Sequence, residues 1–145
     1  LATSLSACSE GAGKKVSLVD KIKERGTLNC SGSQGVPGLS RPDEKGVWRG
    51  FDSDVCRAIA AAILGDAEKV KFVPLNAAQR LPAVQTGEID VLSRTSTLTF
   101  SRDMAIRFVA NTLYDGDVII TRKSDGIDAP AKLNARTVCM QGGGS

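Results

Sequence analysis

V-K-F-V-P-L-N-A-A-Q-R-L-P-A-V-Q-T-G-E-I-D-V-L-S, residues 70–93, is the stretch whose reading decides the fold. Residues 70–74, with Val70, Phe72 and Val73, read as a strand. Asn76 then reads as the cap of a helix that carries Leu81 and Val84 and ends at Gly87, with Pro82 disturbing its regularity. Residues 89–93 read as a second strand. Working outward, residues 27–31 form an earlier strand. Asp52 is the expected cap of a helix with Val55, Cys56, Ile59 and Ile63 at three-to-four spacing, closed by Gly65. Ser17 caps a first helix that stops at Gly26. Between them, residues 32–50 read as a loop rich in Gly and Pro, with a short ribbon at Val47-Trp48-Arg49. Strand, helix, strand, helix, strand in this order predicts an α/β fold with a parallel, doubly wound sheet and right-handed crossovers. Ligands of such sheets bind beyond the carboxyl ends of the strands.

Composition narrows the function. The chain has 145 residues, 41% hydrophobic and 24% charged, as a globular chain does. No apolar run reaches the roughly 18 residues of a spanning helix. There is no His, which removes Ser/His/Asp and Cys/His catalysis and any Cys/His zinc set. No metal site and no cofactor is expected. The 19 Lys and Arg against 16 Asp and Glu leave a net charge of +3, interspersed along the chain, with few aromatics. Nucleic-acid binding is not expected on that basis. The carboxylates Asp52, Asp54, Glu88 and Asp90 stand at helix starts or loop ends, where capping accounts for them, and Trp48 and Tyr114 read as packing anchors.

At the amino end, L-S-A-C (residues 5–8) resembles a lipobox, with Cys8 as the lipidated residue, after the tail of a signal peptide. Residues 9–15 then form a polar tether, with Lys14, Lys15, Lys21 and Lys23 adding a modest attraction to a membrane surface. The alternative is a frayed end with an incidental cysteine. Of the other cysteines, Cys30 and Cys56 fall on a strand and the helix after it, so a disulfide between them is one expectation and buried free thiols the other. Cys139 then awaits a partner beyond Ser145.

Chemistry concentrates after the strand at residues 89–93. R-T-S-T-L-T-F-S-R (residues 94–102) sets hydroxyls and an Arg at the carboxyl end of a strand. Backbone N–H groups and Thr hydroxyls can donate to a carboxylate while Arg102 grips it through two parallel bonds. The competing reading has Thr99 or Ser101 capping a short helix and Arg102 solvated.

Five segments then carry a resemblance: K-E-R-G-T-L-N-C (23–30), G-F-D-S-D-V-C-R-A-I-A-A-A (50–62), V-K-F-V-P-L-N-A-A-Q-R (70–80), G-E-I-D-V-L-S-R-T-S-T-L-T-F-S-R-D (87–103) and V-C-M-Q-G-G (138–143). In this order and spacing the chain resembles the periplasmic solute-binding proteins, family 3, of polar and general amino-acid uptake by ABC transporters. The resemblance implies a type 2 periplasmic-binding-protein clamshell closing on an L-amino acid. It implies that Arg102 binds the ligand α-carboxylate with support from Thr97, that Thr95 faces the α-amino and carboxylate groups, and that Arg80 lies near the ligand side chain. Ser33 falls at a side-chain-selective position, and so small a residue argues against a dedicated acidic or cationic pocket. Gly143 and Gly144 stand where relatives carry hydroxyls, so backbone N–H donation survives there and a Thr contact does not.

The division that follows is 1–15 signal-peptide end, lipobox and tether; 16–115 lobe one, lacking its return segment; and 116–145 hinge crossover and start of lobe two. Residues 118–121 and 137–140 are its first expected strands. The implied function is the extracytoplasmic, non-catalytic substrate-binding component of an ABC transporter, monomeric, with the membrane permease as partner and lipid anchoring at the membrane. The alternatives are a periplasmic cyclohexadienyl or arogenate dehydratase on the same scaffold, for which no acid group is evident, and the ligand-sensing domain of a receptor. A weak sheet edge and negligible ligand affinity are expected of the 145 residues alone.

Overall fold

The computed structural model describes residues 16–33, 35–140, 142 and 144. Cys8 and Gly143 lie outside the described residues. Helix α1, Leu18–Arg25, begins with a reciprocal capping box: the Ser17 hydroxyl accepts from the Asp20 N–H while the Asp20 carboxylate accepts from the Ser17 N–H. It ends on Gly26 in the left-handed conformation. Strand β1, Leu28–Gly32, follows; then a two-stranded antiparallel ribbon of β2, Arg41–Pro42, and β3, Trp48–Arg49; then α2, Phe51–Leu64, and β4, Val70–Pro74. Helix α3 is Arg80–Thr86 and α4 is the single turn Phe100–Asp103.

Strand β1 is central. It pairs in parallel with β4, Cys30 opposite Phe72, and on its other side meets Val91 through a single parallel bridge. The Ser31 N–H donates to Val91 O at 3.1 Å and the Val91 N–H to Asn29 O at 3.3 Å. The expected strand at residues 89–93 is therefore reduced to one bridge. Below that bridge Asp90 joins three elements: its carboxylate accepts from the Asn29 N–H at 2.8 Å and from Arg25 of α1. The core divides across the sheet. Ile22, Leu28, Cys30, Cys56 and Ala60 pack with Val70 and Phe72 on one face, and Leu75, Ala83 and Ile89 pack with Val73 on the other. Alternate residues of β4 point to opposite faces, so α1 and α2 cover one side and α3 the other, the doubly wound arrangement. The structure joins Cys30 to Cys56 through a disulfide, Cα–Cα 6.2 Å, that ties β1 to α2 inside the first cluster, and Cys139 is free and exposed.

Two helix starts differ from the sequence expectation. Helix α2 is capped by Gly50, not Asp52. Gly50 has φ 115°, and a Cβ there would stand 2.5 Å from Leu39 O, so the chain enters the helix through a conformation and a space that only glycine fits. Asn76 caps the turn before α3 rather than the helix. Its Oδ1 accepts from the Ala78 and Gln79 N–H groups, each at 3.0 Å, and α3 itself starts after Gln79. Pro82 sits in the first turn of α3, where its missing N–H costs no helix bond.

Residues 118–121 and 137–140, expected as strands, carry no strand pairing, and residues 123–125 and 130–133 form single 3-10 turns. Ile120 is 91% and Val118 82% exposed. β-branched residues favour extended pairing only where another strand supplies the ladder, and among the described residues none lies beside these.

The aromatic stack at the outer edge yields a prediction. Trp48 stacks on Phe72 with centroids 5.4 Å apart and lies over Gly32, where an added Cβ would stand 2.6 Å from the indole ring. Gly32→Ala should force the ring off Phe72 and lower stability by about 1–3 kcal/mol. Trp48 is the single tryptophan, so chemical denaturation followed by indole fluorescence reads both effects. An unshifted spectrum and midpoint would mean that this packing is loose.

Candidate functional site

The carboxyl ends of β1 and of the segment at residues 89–93 meet the amino ends of α2, α3 and α4 at one edge of the sheet. Hydrogen bonds between hydroxyls and backbone knit the loops together there. The Ser31 hydroxyl donates to Ser93 O at 3.2 Å, joining the two strand ends. The Ser33 N–H donates to the Ser40 hydroxyl at 3.2 Å, and the Ser53 hydroxyl donates to the same Ser40 oxygen at 3.1 Å. Ser33, Ser40 and Ser53 are all buried, and such satisfied polar contacts fix loops firmly.

Above this layer run residues 94–99. Thr95 and Thr97 are exposed, and Arg102 is half-buried on α4. Thr99 caps α4, its hydroxyl accepting from the Arg102 N–H at 3.3 Å. The capping reading of the sequence holds here, and the cap fixes the Arg102 backbone. The Arg102 guanidinium donates through Nη1 to Thr97 O and through Nη2 to Gly144 O, each at 3.0 Å. It therefore stands between the threonine loop and the Gly-rich carboxyl end.

Arg80 is only 4% exposed at the start of α3, and its Nη1 donates to Thr95 O at 2.6 Å. Burial, reinforced by the Arg102 and Arg94 guanidiniums, lowers its pKa from the ordinary arginine value. Arg94 donates through Nη1 to Leu75 O, and burial lowers its pKa too, against the attraction of Asp52. Three guanidinium groups thus lie near one another, with one carboxylate facing Arg94. That balance favours an anionic group at this edge of the sheet.

The carboxylate is Asp52, 5% exposed in the first turn of α2. Burial raises its pKa, opposed by the Arg94 charge and by the nearby Thr95 backbone N–H. Sequence reasoning took Asp52 for a helix cap and gave Arg94 no role of its own. The only local signal was Asp52 directly after the Gly50-Phe51 entry, and Arg94 lies 42 positions further along the chain.

A charged form that the fold disfavours makes stability fall as pH rises through the raised folded pKa, and the cost persists at neutral pH. Asp52→Asn is therefore expected to raise Tm by a few degrees at pH 7. The gain over wild type should shrink on acidification, as the native carboxyl becomes neutral too. Thermal unfolding of both proteins at pH 7 and pH 4 checks this, and a lower Tm for the variant at pH 7 would show that the Arg94 attraction outweighs burial.

The structure brings Thr95 to Arg80 and Thr97 to Arg102, and sets Arg80 within electrostatic reach of Arg102. It does not present Ser33 at the surface: the residue is 2% exposed, with its N–H held by Ser40. Among the described residues no group of three or more Cys, Asp or Glu side chains is gathered as for a metal, and no helix is long and apolar enough to cross a membrane.

The fold is a doubly wound α/β unit, with Arg and Thr residues gathered at the carboxyl ends of its strands. The chain belongs to the bacterial extracellular solute-binding proteins, family 3, whose pattern matches residues 28–137. It is 47% identical over 129 residues to the glutamate/glutamine/aspartate/asparagine-binding protein BztA of Rhodobacter capsulatus, covering 88% of this chain and 38% of that protein. It is 42% identical over 124 residues to the general L-amino acid-binding periplasmic protein AapJ of Rhizobium johnstonii, covering 84% of this chain and 36% of that protein. The chain thus spans less than two fifths of the length of these relatives. Among solved structures, the solute receptor for L-cysteine of Neisseria gonorrhoeae superposes with a TM-score of 0.62 at 32% identity, over 63% of this chain and 37% of that one.

Proposed function

We propose that the protein is the extracytoplasmic substrate-binding component of an ABC transporter, which takes up L-amino acids of polar or broad range and delivers them to a membrane permease without chemical change. The observation that carries this is the Arg102 guanidinium, positioned by the Thr99 cap and facing both Thr97 and the Gly-rich carboxyl end. Two parallel N–H donors suit the α-carboxylate common to all amino acids. The exposed Thr95 hydroxyl suits the neighbouring polar groups, and Arg80 adds positive potential from behind Thr95. Gly143 would contribute a backbone N–H from the facing loop, and Ser33 would shape the floor through its backbone rather than its buried hydroxyl. The relatives named above support the amino-acid class.

In this reading residues 16–115 belong to lobe one, residues 116–145 make the hinge and begin lobe two, and Cys8 anchors a monomer to the membrane by lipid. Closure of the lobes excludes water and strengthens the charge-assisted bonds. Isothermal calorimetry of the full-length protein against the set of L-amino acids tests it. Heat with some of them, glutamate, glutamine, aspartate or asparagine first, is the expected result. No heat and no thermal shift with any amino acid overturns it, and so does turnover of prephenate or arogenate.

A further inference from the structure

We propose that Ser40 is a positioning residue. Its hydroxyl is the joint that locks the turn at residues 36–40 to the exit of β1 and to the first turn of α2, and so holds this border of the site in shape before a ligand arrives. This rests on the amino-acid-binding reading above.

Every contact in the joint is a direct hydrogen bond. The Ser40 oxygen accepts twice, from the Ser33 N–H at 3.2 Å and from the Ser53 hydroxyl at 3.1 Å, which occupies both of its lone pairs. The turn closes on Val36 O, which accepts from the Leu39 N–H at 3.2 Å and from the Ser40 N–H at 3.0 Å. It then meets α2: the Phe51 N–H donates to Gly38 O at 2.9 Å and the Asp52 N–H to Leu39 O at 2.8 Å. The first N–H groups of a helix have no partner within it, so the turn's carbonyls do here what a capping side chain does elsewhere. Helix α2 accordingly starts without a side-chain cap, and Gly50 is needed because a Cβ there would strike Leu39 O. Ser33, Ser40 and Ser53 are all buried, so an apolar residue at position 40 would leave the Ser33 N–H without a partner and free the turn from β1. Strand and helix do not need this joint to stay together. The Cys30–Cys56 bond ties them about one helical turn away, Ser33 following Cys30 by three residues and Ser53 preceding Cys56 by three. What the joint adds is the turn, which borders the same sheet edge as the Ser31–Ser93 contact. A border fixed in advance leaves less to be ordered on ligand capture, and that gain is the same for every ligand.

The test uses the full-length protein with Ser40→Ala, Ser53→Ala and the double variant. In the ligand-free state Ser40→Ala should quicken amide hydrogen exchange at Ser33, Phe51 and Asp52 by about tenfold, with residues 57–64 of α2 unchanged. Ser53→Ala should quicken Phe51 and Asp52 by roughly threefold and leave Ser33 as in wild type, since the Ser33 bond to Ser40 survives. Calorimetry well below Tm with L-glutamine, L-glutamate and L-alanine should find affinity lowered about tenfold by Ser40→Ala and about threefold by Ser53→Ala, by the same factor for each ligand that the wild type binds. The double variant should exchange and bind like Ser40→Ala alone, because both bonds end on one oxygen. Unchanged Ser33 exchange in Ser40→Ala overturns the proposal. So does wild-type affinity in a variant whose exchange has quickened, which would leave the joint a contribution to stability alone. A double variant whose loss is the product of the two single losses, or a loss confined to one ligand, counts against it equally. Should Ser40→Ala fail to fold, Ser53→Ala decides: quickened Phe51 and Asp52 with uniformly weaker binding support the joint, and wild-type exchange or affinity overturns it. A wild type that binds no amino acid defeats the transport reading, while the ligand-free exchange measurement still judges the joint.

Discussion

In the proposed reading, Arg102→Ala is expected to abolish measurable binding of every amino-acid ligand, with a loss of about 100-fold to 10,000-fold. Two charge-assisted hydrogen bonds of roughly 1.5–3 kcal/mol each disappear with the guanidinium, and each 1.4 kcal/mol is about tenfold in affinity. Arg102 is half-buried and lies outside both hydrophobic clusters, so the fold does not depend on it. Tm should stay within a degree or two of wild type while calorimetric heat vanishes. Arg102→Lys keeps the charge and loses the planar fork, and should fall between the two. A loss restricted to some ligands would reassign Arg102 to side-chain recognition, because the α-carboxylate is common to all of them.

The second large effect is on stability. The Cys30–Cys56 bond closes a loop with a sequence separation of 26, worth about 3.5 kcal/mol in the chain-entropy account. It ties the central strand to the helix packed on it, and both cysteines are fully buried. Replacing both by Ser should lower Tm by roughly 10 °C, since 1 kcal/mol moves a domain of this class by about 2–8 °C. Two buried hydroxyls in an apolar cluster add to the loss. Reducing the wild type should give a fall in the same direction. Below its melting point the double variant should still bind, since the threonine loop and Arg102 are held by other contacts. The two experiments thus separate cleanly: one removes binding and spares the fold, the other weakens the fold and spares binding. A double variant as stable as wild type would show that packing alone carries this strand and helix.

Much of the architecture was legible in the sequence because its causes are local. Ser17 with Asp20, and Gly26, Gly65 and Gly87 as helix stops, are set by hydrogen bonds and backbone conformations within four residues. The apolar spacing of α2 and β4 likewise needs no knowledge of partners. Local rules misplaced two caps, though. Asp52 and Asn76 are the residue types that cap helices, yet α2 required a glycine at its entrance, where the chain passes Leu39, and the Gln79 side chain closes its own turn with Asn76. Residues 118–121 and 137–140 failed as strands for the opposite reason. Their composition invites pairing, and pairing needs a neighbour.

The candidate site divides along the same line. Arg102, Thr95 and Thr97 lie close together in the chain, and their types announce anion binding. Chain order alone therefore determined an α/β unit with a parallel sheet, and it set the expectation of a carboxylate-binding edge. Only the tertiary structure decided that Gly50 and not Asp52 opens α2, that buried Arg80 reaches Thr95 O, and that Ser33 faces inward. Those outcomes turn on contacts between residues far apart in sequence and on the burial of charge, which propensity and spacing do not contain.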